Sequence, residues 1–359
     1  MRLRDRDDLL TREGLIFRVL GYDHPEGAWF CEPLYAPCSI FKSGDKRAPR
    51  LARDGGIYFK FYGDEGWRFV MERFPRYRLL HEPLGAYLVG VREEHVKAVR
   101  KPGEALEELL SSELDDELIR ALREFLDEFM AATSLRVGDL GVFGSLLHGF
   151  HHPRLSDLDL TIYGRGALRE AREALEELYR SGERFKNEFG TDWVPRSSSW
   201  PWKNISPSEF AWHQARKLIY GFFFSEEAGR WVKFELEPIR SWPEVENSYD
   251  PRAKVLKLGW AVLRARVSSA DWAPFMPAIY GIEDVELLEA PRGGREPERI
   301  VCFVDEFRLQ AFEDELILAA GWLEHVEEPE GEFYQLVLTY GPRYHEQFIK
   351  VLAPRGQGG

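Results

Sequence analysis

Residues 142–160 read VFGSLLHGFHHPRLSDLDL, and no other stretch constrains the fold of this chain as tightly. Asp139–Phe143 is a short apolar run that reads as a strand, Gly144-Ser145 breaks it as a turn, and Leu146–Gly149 begins a helix. Leu158–Tyr163 reads as a second strand. Side chains two apart on a strand share a face, so Asp157 and Asp159 project together with Leu158 and Leu160 behind them. Paired carboxylates suit a hard divalent cation, Mg²⁺ or Mn²⁺, and phosphoryl transfer to a hydroxyl uses such ions to clamp the attacking and leaving oxygens. Gly144 lets a phosphate approach the backbone, and the Ser145 hydroxyl with the N–H groups of a helix start can donate to it.

On either side the pattern changes. Residues 1–100 read as a β-rich segment, with a hairpin at Asp8–Thr11 and Leu15–Leu20, strands at Ile57–Tyr62 and Ala86–Val91, and a short helix at Trp67–Phe74. Glu104–Thr133 alternates apolar and acidic residues at helical spacing. Leu168–Tyr179 is a periodic helix, and Arg184–Ile205 a polar, Trp-rich loop. Ser206–Leu218 is a helix with Ser206 as N-cap and Pro207 in its first turn, and Tyr220–Phe224 with Trp231–Ile239 forms a hairpin. From about Asp250 short strands recur, the mark of a small barrel or sandwich. The expected class is α+β, in three segments: 1–100 β-rich, 101–249 carrying the helices and the Gly-Ser/Asp-Leu-Asp unit, and 250–359 a β-rich barrel.

Charge narrows the choice of partners. The chain's net charge is −13, yet residues 1–100 carry 18 Lys+Arg against 15 Asp+Glu, leaving 30 against 46 for the remainder. A strongly acidic surface binds polynucleotide poorly, because phosphate neutralisation drives that binding, so RNA or DNA would be held through the N-terminal β-rich segment. The charged start MRLRDRDD and the lack of a long apolar run argue against a secretory signal and a membrane span. Cys31, Cys38 and Cys302 make neither a zinc spacing nor a disulfide framework, and a cytoplasmic protein is expected. Scarce Asn and Gln beside abundant Glu and Arg match heat-adapted composition.

The spacing GS-x11-D-x-D, with Ser156 before the acids and Leu160 after, resembles the DNA polymerase beta nucleotidyltransferase superfamily, above all its minimal members, over about residues 110–245. The flanks are similar to archaeal predicted nucleotidyltransferases of unassigned substrate. The resemblance implies a polymerase-beta-type core between β-rich domains, NTP as substrate, and Asp157 and Asp159 binding the metals. It also implies a third carboxylate on a later strand, for which WVKFELEPI offers Glu235, framed by Phe234 and Leu236, with Glu237 as the alternative. Its role would be to bind metal and activate the attacking hydroxyl. Relatives often carry Arg or Lys in the helix after Gly-Ser; here Leu146, Leu147 and His148 stand there. Compensation is expected from His148, His151, His152 and Arg154, with Lys203, Arg216, Lys217 and Lys233 as further cations. Gly144, Ser145, His148, Arg154 and Lys217 are thus the candidate nucleotide-binding residues.

Plainer readings stand beside these: histidines of a solvated loop, a solvated Arg216-Lys217 face, and Trp193, Trp200, Trp202 and Trp212 as packing rather than base-stacking groups. Two functions compete. One is metal-dependent transfer of a nucleoside monophosphate to a hydroxyl, on an RNA or DNA end, a protein or a small alcohol. The other is a catalytically degenerate binding or regulatory module, which the missing Arg favours.

Overall fold

The computed structural model describes residues 1–53, 55–190 and 200–353. Trp193 and the tail from 354 lie outside them. The chain divides into two compact units, the first made of Met1–His81, Ala86–Lys186 and Ile219–Tyr249, the second of Glu82–Gly85, Asn187–Leu218 and Asp250–Gly359. These units cut across the three consecutive segments expected.

The first unit opens with strands β1 (Asp8–Thr11), β2 (Ile16–Val19), β3 (Ala28–Pro37), β4 (Pro49–Leu51) and β5 (Ile57–Lys60). Helix α1 (Glu65–Arg73) and strands β6 (Arg78–His81), β7 (Ala86–Arg92) and β8 (Val96–Arg100) follow. The sheet runs β4-β5-β3-β2-β1-β8, with β7 and then β6 added on β3. Its spine is β3, the ten-residue run AWFCEPLYAP. The charged start is not solvated: Arg4, Asp5, Arg6, Asp7 and Asp8 are all buried. Paired charges can be taken out of water where each finds its counter-charge, as Arg6 does at Glu237 with Nε to Oε1 2.8 Å.

Next come α2 (Pro102–Ser111), α3 (Glu117–Ala131), β9 (Leu140–Val142), the single turn α4 (Gly144–Leu147), β10 (Leu158–Tyr163) and α5 (Arg165–Ser181). The expected helical stretch Glu104–Thr133 is therefore two helices. Asp116 starts the second by accepting from the N–H groups of Leu118 and Ile119, and Gly182 stops α5 in the left-handed region at φ 68°. Strands β11 (Phe185–Asn187), β12 (Tyr220–Ser225) and β13 (Arg230–Ile239) complete a sheet ordered β11-β12-β13-β10-β9. Alternation then does the sorting. Val232, Phe234 and Leu236 of β13 and Leu158 and Leu160 of β10 are fully buried, and Phe125 of α3 lies 4.9 Å from Phe234 between ring centroids. Each such burial contributes about 1.5–3 kcal/mol. With one face of the sheet sealed by α3, the polar side chains of β10 and β13 must point to the other.

The second unit holds α6 (Pro207–Lys217), β14 (Lys254–Trp272), β15 (Ala278–Glu289), β16 (Arg299–Cys302), β17 (Leu316–Glu328), β18 (Gly331–Leu338) and β19 (Phe348–Ala353). The order β14-β15-β16-β18-β17 closes back on β14, with β16 parallel to β18, and β19 extends β17. This is a five-stranded Greek-key closure of the OB type. The 19-residue β14 pairs with β17 over Lys254–Arg266 and with β15 over Val262–Trp272, with a register shift between Lys257 and Gly259 on the β17 side. Helix α6, begun by the Ser206–Glu209 capping box, belongs to this barrel because Gln214 Nε2 and Lys217 Nζ both donate to the Glu306 carbonyl, at 2.9 and 2.7 Å. Trp202 is buried against Phe307 and Tyr344 at 4.9 and 5.1 Å, and Trp200 packs on Phe210. Those tryptophans are core. Trp212, by contrast, is 42% exposed under the Arg216 guanidinium.

His213 of α6 makes this unit sensitive to acid. Its Nδ1 donates to the Glu209 carbonyl at 2.7 Å, while Nε2 accepts the Val351 N–H at 3.1 Å. Protonation would set a second N–H against that amide. Burial first, then the charges of Arg216 and Lys217, lower its pKa to about 4. The unfolded chain therefore binds this proton before the folded one does. Stability falls as pH drops from about 6.5 to 4 and this contribution levels below, by at most about 3 kcal/mol. Melting curves over that range should lose about one proton's worth of slope in His213→Phe, and an unchanged slope would contradict the assignment.

Candidate active site

The parallel pairing of β10 with β13 sets the site. Asp159 lies directly across from Glu235, and Thr161 from Glu237. Asp159, Lys233 and Glu235 are all half-buried on the face opposite Phe125, and Asp157 is half-buried just before β10 begins. Antiparallel β9 brings the other half. The Phe143 N–H donates to the Asp159 carbonyl at 2.9 Å, which delivers the chain at Gly144 above the Asp159 side chain. Gly144 takes φ +61°, and a Cβ placed there would press into Asp159 Oδ2 and lie 3.2 Å from its Cγ. Only glycine has both freedoms.

Gly144→Ala is therefore expected to displace either the turn or the carboxylate. The left-handed backbone costs about 1–2 kcal/mol, and a misplacement of about 1 Å lowers turnover on the order of 10²-fold. Steady-state rates on a folded variant check this; wild-type turnover would mean that the turn does not serve the carboxylate.

Asp159 does not sit in an ordinary carboxylate environment. Burial, then the nearby charge of Asp157, raises its pKa to about 6, against the opposing charges of Lys60, Arg18 and Lys233. Two of those three cations lie in the N-terminal sheet. Sequence reasoning singled out neither of them. Of the four later cations considered, Lys233 is the one whose charge acts on Asp159.

The structure assigns the remaining candidates elsewhere. Glu237 is buried at 2% exposure and salt-bridged to Arg6, so Glu235 is the carboxylate left beside Asp159. His148 Nε2 is 2.7 Å from Asp8 Oδ2, and its ring packs between Tyr35 and Phe150. It braces the turn rather than facing phosphate. His151 Nε2 meets Asp116 Oδ2 at 2.9 Å, and His152 closes its own loop with Ser156. Arg154 stands out in solvent, 74% exposed, on Glu117. Lys217 is fully buried in the second unit on the Glu306 carbonyl, where burial, then the charge of Arg308, lowers its pKa to about 7. Lys203 pairs with Glu346 and Arg216 with Glu315, also in that unit. Ser145, half-buried, stays in the α4 turn, its carbonyl accepting from Phe150 N–H at 2.8 Å.

Among the described residues no three His, Cys, Asp or Glu side chains are gathered into a ready metal cage. The donor set nevertheless fits a hard divalent cation. It is all carboxylate, and the mutual repulsion of Asp157 and Asp159, which raises the Asp159 pKa, is what a bound cation would relieve.

Comparison with known proteins bears on the same segment: residues 119–197 match the family described as nucleotidyltransferase domain. That segment is thus similar to a nucleotidyltransferase domain. The matched stretch contains the Gly144-Ser145 turn together with Asp157 and Asp159, and its α+β surroundings agree with the class expected. Over its whole length the chain is similar to an uncharacterized protein of Methanocaldococcus jannaschii, an archaeal thermophile, with 28% identity covering 98% of this chain and 99% of that protein. No solved structure matches. No described helix is long and apolar enough to cross a membrane.

Proposed function

We propose that this chain transfers a nucleoside monophosphate from an NTP to a hydroxyl acceptor, with Mg²⁺ or Mn²⁺ as cofactor. The observation that carries the reading is the register that sets Asp159 beside Glu235, under the bare backbone of Gly144. Asp157 and Asp159 hold the metal, with Glu235 as the third carboxylate. When bound, the metal supplies Lewis-acid polarisation of the phosphoryl oxygens and charge neutralisation. The acceptor oxygen forms a bond to the α-phosphorus as the bond to pyrophosphate breaks, and Glu235 takes the acceptor proton. Gly144 gives the triphosphate access to the backbone, and Ser145 donates its hydroxyl to it.

Charge supports one acceptor class over a protein side chain or a small alcohol. An RNA or DNA end is the acceptor favoured here, gripped by the more basic N-terminal segment, since the rest of the chain carries 30 Lys+Arg against 46 Asp+Glu. A degenerate regulatory module drew its support from the missing Arg after Gly-Ser, and Arg18 and Lys60 weaken that support.

Pyrophosphate release, measured with each NTP in Mg²⁺ and in Mn²⁺, with and without RNA, tests the reading. Silence under all conditions sinks it.

A further inference from the structure

The face of the N-terminal sheet that meets the catalytic turn carries charge that the carboxylates do not use up. Partners across an antiparallel pair share a face, as do residues two apart. The pairs Asp8↔Arg18, Ile16↔Tyr35, Tyr35↔Lys60 and Arg50↔Tyr58 therefore all present one side of the sheet. That side packs on the segment just after Gly144-Ser145. Tyr35 and Tyr58 hold Phe150 with ring centroids 5.1 and 5.0 Å apart, and Ile16 and Leu34 complete the cluster. Asp8 ties His148, and the Arg18 guanidinium stands 5.5 Å from the Phe143 ring, the residue before Gly144.

Two cations are thereby carried to the edge of the carboxylate site. Arg18, 12% exposed, has Asp8 at 3.6 Å, too long for a hydrogen bond, and its buried Nε finds no hydrogen-bond partner among the described residues. Lys60 is half-buried, and no ion pair holds it among the described residues. Burial and the neighbouring charges of Arg18 and Arg50 lower its pKa, which is the cost of holding like charges together out of water. Cations held together in this way are preorganised for a multivalent anion.

We propose that Arg18 and Lys60, contributed by the N-terminal sheet, bind the triphosphate of the nucleotide whose metal sits on Asp157 and Asp159. The proposal rests on the function argued above and replaces, from a different part of the chain, the basic residue that the helix after Gly144-Ser145 lacks. It also gives the N-terminal sheet a task at the active site: without it the site would hold metal yet grip triphosphate weakly.

Calorimetry on the full chain separates the alternatives, with an NTP, a nucleoside monophosphate and inorganic tripolyphosphate as ligands in Mg²⁺, and with Mn²⁺ alone. Lys60→Met and Arg18→Met should each weaken NTP and tripolyphosphate binding at least about 10-fold, the scale of one lost charge-assisted contact. Monophosphate binding should fall less. Mn²⁺ binding should hold or tighten, since a repelling cation is gone; a general structural defect would weaken it. Lys60→Arg should keep tripolyphosphate binding even if Arg18→Met folds poorly, and exposed Lys97→Met serves as the control. Undiminished NTP binding by Lys60→Met and Arg18→Met overturns this proposal while leaving the function intact. Failure of the wild-type chain to bind any NTP overturns both.

Discussion

Asp159→Asn is expected to leave the protein folded and to lower nucleotidyl transfer by at least on the order of 10²–10³-fold, the size of one lost electrostatic contact to a transition state. The substitution keeps the shape that fits beneath Gly144 and removes only the negative charge. It is a charge the fold holds at a cost, since Asp159 is half-buried beside Asp157 and burial with that neighbour raises its pKa. The metal-free variant should therefore melt no lower than wild type. Such a combination of lost activity with kept or raised stability is what a functional rather than structural acid shows. Mn²⁺ binding should weaken at least 10-fold alongside, with one of two adjacent carboxylates gone. Retained turnover and retained Mn²⁺ affinity would remove Asp159 from the mechanism.

The second large effect separates two glutamates two positions apart on β13. Glu237→Gln strands the Arg6 guanidinium, which with its partner is at most 5% exposed, and breaking a buried pair costs about 3–5 kcal/mol. Asp5, 3.8 Å from Arg6, places the expectation at the lower end of that range. The molecules that remain folded should turn over normally. Glu235→Gln should do the reverse, with little change in denaturant midpoint and turnover reduced on the order of 10²-fold or more, the range for a lost general base. Unfolding curves and rates per folded molecule read both. An inactive but stable Glu237→Gln beside an active Glu235→Gln would exchange the two roles.

Much of the core was legible because it is local. The Gly-Ser turn, the Asp-Leu-Asp pair and the strand periods lie within about twenty residues, and alternation alone places Asp159 and Glu235 opposite the apolar faces of their strands. Period 2 also placed Lys233, Glu235 and Glu237 on one face. It could not say which glutamate would be claimed by Arg6, 231 positions earlier in the chain.

The same limit explains the cations. From the sequence, His148 and Arg154 are neighbours of the turn and Lys217 a basic residue of the expected domain. In the fold His148 is bound to Asp8, Arg154 to Glu117, and Lys217 to a carbonyl of the barrel unit. Arg18 and Lys60 reach the site instead, because the sheet they sit on is laid against Phe150. The sequence by itself determined the chemistry available: which strand faces carry acids, and where a backbone must be bare. Only the tertiary structure decided which distant charges meet those acids, because that pairing depends on how separate sheets pack, and no local period records it.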